Sequence, residues 1–291
     1  MKTVKVLSNQ NKIYNETTTN ASYSNLQEDF SIRIVLHGHE RFRLGKRNLT
    51  VHPGSFLVIN EGTVFSSSVY ADIPANTFAL LYSPTFLKTF HRDQLLSDKS
   101  LLDDPFDASS NAAPFFPETL YPFNAEMIFS CQHLKQHLEN SSHDEIFIEE
   151  YLYCCLLNFY KLYHTEIIAK RNQLNVLNPG TKAELFKRLS NAKDYMLSNY
   201  NQPISIGDIS SHACLSEIHF FRSFKQIHNC SPHQYLIQAR LNNARYMLKN
   251  TSYTVSEIVN LIGFDNTSSF IRLFKERFGD TPGSFRGKIV A

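Results

Sequence analysis

Several features that define common protein classes are missing from this 291-residue sequence. It has no run of 18 apolar residues, so we expect no membrane-spanning helix and no membrane partner. The N-terminal stretch MKTVKVLSNQNKIYNE lacks the continuous apolar segment of a signal peptide. The five cysteines are odd in number and form no C-x-x-C pair, which argues against a disulfide framework or a zinc ribbon. We therefore expect a soluble, cytoplasmic protein.

The sequence also lacks a clear catalytic signature. No Ser-His-Asp arrangement, Gly-rich phosphate loop or paired-carboxylate motif stands out among its residues. Trp is absent altogether, although Phe and Tyr are abundant, with 23 and 14 residues. We therefore expect a globular protein that is not an enzyme and carries no cofactor.

Charge is distributed unevenly along the chain. Residues 181–291 hold 14 Lys and Arg against 8 Asp and Glu, whereas the first 180 residues hold 15 against 19. A basic C-terminal third behind a mildly acidic remainder is typical of a polyanion-binding module joined to a regulatory or assembly module. On charge alone, a chance asymmetry of solvated faces explains the numbers equally well.

The first half of the chain is rich in short strand-like runs. Residues 1–30 are polar and predict a poorly ordered lead-in, and residues 97–122 predict a loop. Between them, turns containing Gly separate apolar runs at a spacing that predicts a small antiparallel sandwich or barrel. These runs are SIRIVLH, ERFRL, RNLTVH, SFLVIN and TFALLY.

Two amphipathic helices are predicted after the strands, at about 124–139 and 144–170. They either cover the sheet or form the seam of a homodimer, and the pattern leaves both open. Their apolar stripes consist of Met127, Ile128, Cys131, Leu134 and Leu138, and of Ile148, Leu152, Cys155, Leu156, Phe159 and Tyr163. The segment Asn178-Pro179-Gly180 predicts a linker, so we expect domains at 1–175 and 183–291 joined by residues 176–182.

Helices fill the rest of the chain, and two of them repeat. Helical segments are predicted at about 183–200, 206–214, 216–228, 232–249, 255–262 and 267–278, with a short turn from Pro282. The stretch FFRSFKQIHNCSP (220–232) recurs as FIRLFKERFGDTP (270–282). A short helix and a tight turn precede each copy, which is the helix-turn-helix arrangement whose second helix enters the DNA major groove.

Helical spacing separates two faces on each repeated helix. One face is predicted to pack in the core and consists of Phe220, Phe224 and Ile227, then Phe270, Phe274 and Phe278. The other face carries Arg222 and Lys225, matched by Arg272 and Lys275. Arg can read guanine with two hydrogen bonds, whereas Lys most often meets phosphate. Phe221 and Ile271 share this face, where they either touch thymine methyl groups or tuck under a neighbouring helix.

Residues 183–287 resemble the DNA-binding domain of the AraC/XylS family of bacterial transcription regulators. The long linking helix and the second repeat carry the resemblance, through Pro232, Tyr235, Leu236, Arg240, Leu241, Ala244, Leu248, Ile258, Gly263, Phe264, Ser268, Phe270, Arg272, Phe274, Lys275, Phe278, Gly279, Thr281, Pro282 and Arg286. Cys214 departs from the pattern, because the first turn often has Gly there. The resemblance implies base-reading roles for Ile218, Phe221, Arg222, Thr267, Ser268, Ile271 and Arg272.

The same resemblance implies partners and a regulatory role. We expect promoter DNA and RNA polymerase as partners, a homodimer, and activation rather than repression. The strand region resembles the cupin-like β-barrel that forms the sensor half of many such regulators. The expected fold class is therefore α+β with two domains, a cupin-like β-barrel with appended helices followed by an all-α domain with two helix-turn-helix units.

The motif His37-Gly-His39 raises the question of a metal, because both histidines lie on one face of a strand. Arg43 and Leu44 occupy the place of the Glu that enzymatic cupins use, and Leu57 or Phe65 that of their distal His, so we expect no metal. A small effector is expected instead, with Arg33, His37, Arg43 and Tyr82 as candidate contacts. Two alternatives remain: a pure assembly domain, or a cupin-type enzyme fused to a DNA-binding module.

Overall fold

The computed structural model describes residues 2–95, 114–139 and 145–290. The chain divides into two compact units, Met1–Phe159 and Tyr160–Ala291. The boundary between the units therefore lies earlier in the chain than the predicted linker at 176–182. Residues from Tyr160 onward belong to the C-terminal unit. No helix in the described residues has the length and apolar character needed to cross a membrane.

The N-terminal unit is built on an antiparallel sheet. Its strands run in the order β1-β2-β7-β3-β6-β8, and β4 pairs with both β5 and β7. Their bounds are β1 Lys2–Val6, β2 Lys12–Gln27, β3 Phe30–His37, β4 Glu40–Leu44, β5 Arg47–Val51, β6 Ser55–Ile59, β7 Val64–Tyr82 and β8 Leu120–Pro122.

The long strand β7 organises this sheet. It pairs with β2 along most of its length, with β4 near its start and with β3 over its second half. Register shifts in β2 after Thr18 and after Tyr23 mark irregularities of the kind that bend a strand and increase its twist. One continuous strand therefore joins the β4–β5 hairpin to the sheet of β3, β6 and β8.

Residues 2–30 are ordered, so the prediction of a poorly ordered lead-in is wrong. β1 and β2 occupy most of this segment, although few of its side chains are buried. Ile13 is buried, and the buried Asn11 carboxamide accepts a hydrogen bond from the Ser83 amide at 2.8 Å. The strand is held by backbone pairing with β7 and not by an apolar pattern, so its composition alone did not predict it.

Helices follow the strands: α1 (Pro84–Leu95), α2 (Ala125–Glu139) and α3 (Glu145–Tyr163). The α2 side chains Met127, Cys131 and Leu134 are fully buried, as is Leu152 in α3. Phe159 packs edge-on against the rings of Phe116, Tyr121 and Phe56, at 4.9, 5.2 and 6.4 Å between centroids. The sequence left open whether these apolar stripes cover the sheet or form a dimer seam. The stripe residues named here are buried within the N-terminal unit.

The predicted loop at 97–122 falls largely on residues 96–113, which lie outside the described residues. At its end, Leu120–Pro122 form the short strand β8, which pairs with β6.

The second unit is helical. After a π-helical stretch (His164–Ala169) come α4 (Lys170–Gln173), α5 (Pro179–Ser198), α6 (Ile206–His212), α7 (Glu217–His228), α8 (Pro232–Asn250), α9 (Val255–Leu261), α10 (Thr267–Phe278) and α11 (Pro282–Val290). The α+β fold class is therefore confirmed, with a sheet-rich first part and a helical second part.

Helix α5 begins earlier than the sequence predicted. Asn178 caps it by accepting a hydrogen bond from the Thr181 amide at 3.1 Å, and Pro179 takes the first helical position. An N-cap side chain followed by Pro is a helix-start signal, because Pro lacks the amide hydrogen that the first turn would leave unpaired. The Asn-Pro-Gly segment is thus a helix start and not part of a linker.

Candidate nucleic-acid interface

Two helix-turn-helix units lie in the C-terminal half: the first unit is α6 and α7, the second unit is α9 and α10. Each first helix opens with a capping box. Ser205 Oγ accepts from the Asp208 amide at 3.1 Å, and Thr254 Oγ1 accepts from the Glu257 amide at 3.2 Å. Each carboxylate in turn accepts from the amide of its capping residue. Such boxes fix the start of a helix by pairing amides that would otherwise be unsatisfied.

Each turn contains one residue in the left-handed conformation. Gly263 supplies it in the second unit with φ +74°, and Cys214 supplies it in the first with φ +50°. The Cys214 carbonyl accepts a hydrogen bond from the Arg188 guanidinium at 3.0 Å, which anchors the strained turn to α5. The left-handed turn therefore forms in both units, with or without Gly.

The predicted core faces pack as expected, with one exception. Phe220, Phe224, Phe270 and Phe274 are fully buried, and neighbouring rings in each helix lie 5.3 and 5.5 Å apart. Phe278 is only half-buried, so the prediction that it is a core residue is corrected. Its position on the edge of the apolar stripe leaves one side open.

The predicted DNA-contacting side chains are all exposed. Ile218 is 69% exposed, Phe221 43% and Ile271 36%, so neither Phe221 nor Ile271 tucks under a neighbouring helix. The remaining members of this set are Arg222, Lys225, Thr267, Ser268, Arg272 and Lys275. The two helices thus present matching faces, each with apolar, Arg and Lys groups in the same helical positions.

The basic groups on these faces are uncommitted. Arg222, Lys225, Arg272 and Lys275 take part in no ion pair within the described parts of the chain. Ser216 caps the N-terminus of α7, and Asn266 caps that of α10. Exposed Arg and Lys side chains without an ion-pair partner suit a phosphate-bearing partner.

Arg240 has a positioning role that the sequence pattern did not reveal. From the linking helix α8 its guanidinium donates to the carbonyls of Tyr200 and Gln202, at 2.7 and 3.0 Å. It also lies 5.8 Å from the centre of the Phe264 ring, in the turn of the second unit. One side chain therefore connects the segment before the first unit with the turn of the second.

The four effector candidates do not come together in the N-terminal unit. Arg33 lines a cavity of about 70 Å³, where it pairs with Glu28. Arg43 is exposed and lines a separate open cleft of about 290 Å³. Tyr82 is buried, and its hydroxyl donates to the Leu152 carbonyl at 3.0 Å, so it is a core residue and not a pocket residue.

His37, at the end of β3, lies opposite Asn76 of β7 in the strand register. It lines neither the cavity at Arg33 nor the cleft at Arg43. Across the residues that the structure describes, no three His, Cys, Asp or Glu side chains come close enough to hold a metal. His39 lies beside His52 with ring centres 5.7 Å apart, and burial together with Arg41 lowers the pKa of His39. The lowered pKa favours the neutral imidazole of His39.

Two family models match the chain. A model of the AraC-like ligand binding domain matches residues 18–156, and one of a helix-turn-helix domain matches residues 209–288. The Msm operon regulatory protein of Streptococcus mutans is 30% identical over 118 residues, which are 40% of this chain and 41% of that protein. The lactose operon transcription activator of Staphylococcus xylosus is 24% identical over 153 residues, 53% of this chain and 51% of that one.

Among solved structures, a transcriptional regulator with an AraC-type DNA-binding domain from Chromobacterium violaceum is 29% identical. The match covers 38% of this chain and 96% of that one, with a TM-score of 0.34. The chain spans about half or less of the length of the curated relatives described above.

Proposed function

The chain belongs to the AraC/XylS family of transcription regulators, and on that premise we propose that it is a sequence-specific regulator that binds promoter DNA. One observation carries the proposal: two exposed helix faces with the same arrangement of Arg, Lys and apolar groups, α7 and α10. Two recognition helices held about 34 Å apart enter successive major grooves on one side of a duplex. One chain then reads two groove segments of an asymmetric site.

The side chains on these faces divide the work by chemistry. Arg222 and Arg272 read base edges, because a guanidinium can donate two hydrogen bonds to guanine. Lys225 and Lys275 neutralise phosphates and set the register of the helices on the duplex. Ile218, Thr267 and Ser268 complete the base-reading surface. Phe221 and Ile271 contact thymine methyl groups, since both are exposed and apolar.

Substitution of the two arginines tests this assignment. We expect Arg222→Ala and Arg272→Ala each to weaken binding to the cognate site by about 10- to 100-fold, as loss of a two-bonded guanine contact does. Each should relax sequence preference in one groove segment only. Fluorescence anisotropy with the cognate duplex and with duplexes altered in one segment measures both effects.

Arg277 provides the matched control, because it is exposed on α10 but lies on the side away from the predicted DNA face. Arg277→Ala should leave affinity nearly unchanged. With about six phosphate contacts, affinity should also fall about 10³-fold between 50 and 200 mM salt. A flat salt dependence, or equal losses for all three arginines, would contradict the proposed interface.

For the N-terminal unit we propose a sensor that binds a small effector. The cavity lined by Arg33 and the match to an AraC-like ligand binding domain support this role. The alternative is an effector-independent regulator whose N-terminal unit serves only assembly, and the absence of a catalytic motif disfavours a cupin-type enzyme. Thermal-shift screening of the full chain against sugars, aromatic acids, fatty acids and amines separates a sensor from an assembly module, because only a sensor gains stability on ligand binding.

We further propose a cytoplasmic homodimer that activates transcription through RNA polymerase, as the family resemblance implies. The inner stripes of α2 and α3 are already buried, so a dimer would use their outer surface. Phe129, Ile146 and Phe147 are exposed there, and contiguous exposed apolar groups mark interaction sites. Analytical ultracentrifugation at micromolar concentration tests this proposal, and a strict monomer would count against it.

A further inference from the structure

The first strand of the chain carries an ammonium group into an aromatic site. Lys2 Nζ lies 4.4 Å from the centre of the Tyr23 ring and 5.7 Å from that of Tyr14. It also donates a hydrogen bond to the Tyr23 hydroxyl at 3.2 Å. Two aromatic faces within about 6 Å of a cation form the cage that proteins use to bind ammonium ligands.

Carboxylates complete this cage. The Tyr23 hydroxyl donates to both carboxylate oxygens of Glu16, at 2.9 and 3.0 Å, which holds the acid beside the ring. Glu40 lines the same cavity and receives a hydrogen bond from Ser67. Burial raises the pKa of Glu40 to about 7 against the opposing charges of Arg33 and Lys2, so a cation held in the cage favours the charged form of this acid.

The charges that line the cavity are unbalanced without Lys2. Arg33 is committed to Glu28 in an ion pair. Glu16 and Glu40 make no ion pair in the described part of the chain, and Lys2 is the other cationic side chain in the cavity wall. A cation in the cage is therefore favoured by two acids and two aromatic faces.

We propose that the cage of Tyr14, Tyr23, Glu16 and Glu40 binds the ammonium group of a small organic amine, and that Lys2 occupies it until that ligand arrives. This inference rests on the effector-sensing role proposed above and names the chemical class of the effector. A neutral alcohol gains no charge interaction in the cage, and a carboxylic acid is repelled by Glu16 and Glu40.

The position of Lys2 makes it exchangeable. It lies on β1, an edge strand that among the described strands pairs only with β2, and its side chain is exposed. Edge segments with few buried contacts open at low cost. The cavity also adjoins the 290 Å³ cleft, which shares Tyr23 and Ser67 with it, so the carbon chain of an amine has space beyond the cage.

Isothermal titration of the full chain with n-butylammonium tests the proposal, because this probe reproduces the Lys side chain. Butanol and butyrate serve as neutral and anionic probes of the same length. In Lys2→Met the cage is empty, and butylammonium should bind about tenfold more tightly than in the wild type, where Lys2 competes for the site. Lys5→Met is the matched control on the same strand, and it should leave the affinity at the wild-type value because Lys5 lies outside the cage.

Two further variants, made in the Lys2→Met background, separate the cage from general folding effects. Tyr23→Phe keeps the ring but removes the hydroxyl that orients Glu16, so binding should weaken partly, whereas Tyr23→Leu should abolish it. Circular dichroism confirms that each variant is folded. The proposal is overturned if butylammonium fails to bind Lys2→Met, or if butanol or butyrate binds equally well. If butylammonium binds the wild type and Lys2→Met with equal affinity, Lys2 does not occupy the cage.

The same titrations distinguish this inference from the broader sensor role. If sugars or carboxylic acids stabilise the wild type in the thermal-shift screen while amines do not, the sensor role stands and the amine assignment falls. If no compound of any class binds, the sensor role falls as well. DNA binding by α7 and α10 is measured independently of both.

Discussion

The two helix-turn-helix units share one frame but build their left-handed positions differently. The second unit uses Gly263 in its turn and Gly279 at the end of α10, with φ +74° and +83°. The first unit uses Cys214 and Asn229 at the corresponding places, with φ +50° and +54°. A non-Gly residue in this region costs about 1 kcal/mol, with Asn tolerated best.

The surroundings of the two turns account for part of this difference. A Cβ on Gly263 would lie 2.7 Å from the Asn201 carbonyl oxygen, a backbone atom that cannot rotate away. Cys214 has its Cβ in an exposed position, and the hydrogen bond from Arg188 holds its carbonyl. Glycine is thus required where two backbone segments touch, whereas a positive φ alone can be met by another residue.

The ends of the recognition helices differ as well. At the position of Phe278 the first unit has His228, which lies 3.4 Å from Lys170 Nζ and packs on Phe224 and Tyr235. Phe278 instead lies under the Arg245 guanidinium at 5.2 Å. Gln226 also donates to the Gln173 carbonyl at 2.7 Å, so α7 is fastened to the segment that precedes α5. In the first unit, α7 therefore contacts residues from the middle of the chain.

Substitution of the residues in left-handed conformation should give the largest difference in stability between the two units. We expect Gly263→Ala to lower the free energy of unfolding by about 3 kcal/mol, since it adds backbone overlap to left-handed strain. Gly279→Ala, whose Cβ would meet no atom within 4 Å, should cost only about 1 kcal/mol. Cys214→Gly should change stability by less than about 0.5 kcal/mol, because relief of strain offsets the added freedom of the unfolded chain.

Urea denaturation followed by circular dichroism measures all three changes. Equal losses for Gly263→Ala and Gly279→Ala would show that the contact with Asn201 has no energetic weight.

The second-largest expected difference between the units is in the pH dependence of stability. Burial, Lys170 and Lys193 hold the pKa of His228 well below its usual 6.5. The unfolded chain therefore takes up a proton as pH falls below 6.5 while the folded chain does not, so this residue lowers stability on acidification. The slope is at most about 1.4 kcal/mol per pH unit for one proton.

His228→Phe, which copies Phe278, should remove this part of the slope, as measured by urea denaturation between pH 5 and pH 7.5. His219→Ser, which copies Ser269 on the exposed face, is the matched control. An unchanged slope in His228→Phe would show that the His228 environment is solvated.

The smallest expected effect concerns the apolar DNA contacts. Replacing thymine by uracil at the bases facing Phe221 or Ile271 removes one methyl contact and should weaken binding by about 2- to 4-fold. In Phe221→Ala or Ile271→Ala the matching uracil substitution should have no further effect. Uracil placed outside the binding site is the control. Unchanged affinity of the wild type for the uracil duplexes would remove the thymine contacts.

The helical half was the more predictable part, because its signals are local. Ser231-Pro232 and Thr281-Pro282 predict helix starts that the structure confirms, and the repeat predicts the helices α7 and α10. The same kind of signal at Asn178-Pro179 also starts a helix, but the Gly180 that follows it favours a linker in the sequence pattern. Phe278 was placed too deep, because spacing fixes the direction of a side chain but not how much covers it.

The sheet and its cavity depend on contacts between distant residues. β2 is polar along most of its length and is a strand because β7 pairs with it. No short stretch of sequence includes both strands, so a local pattern cannot predict this pairing. Tyr82 and Arg33 could not be assigned to a face, since both faces of β3 and of the second half of β7 are largely buried. The cage around Lys2 requires the register of β1 on β2, which places Lys2 opposite Glu16.

Strand β7 has a consequence for how the N-terminal unit opens. Its 19 residues bond to β2 on one side and to β4 and then β3 on the other. Neither β2, β3 nor β4 can separate from the sheet without exposing amides of this one strand. Its central amides should therefore be among the last in this unit to exchange with deuterium, and at a single rate set by global unfolding.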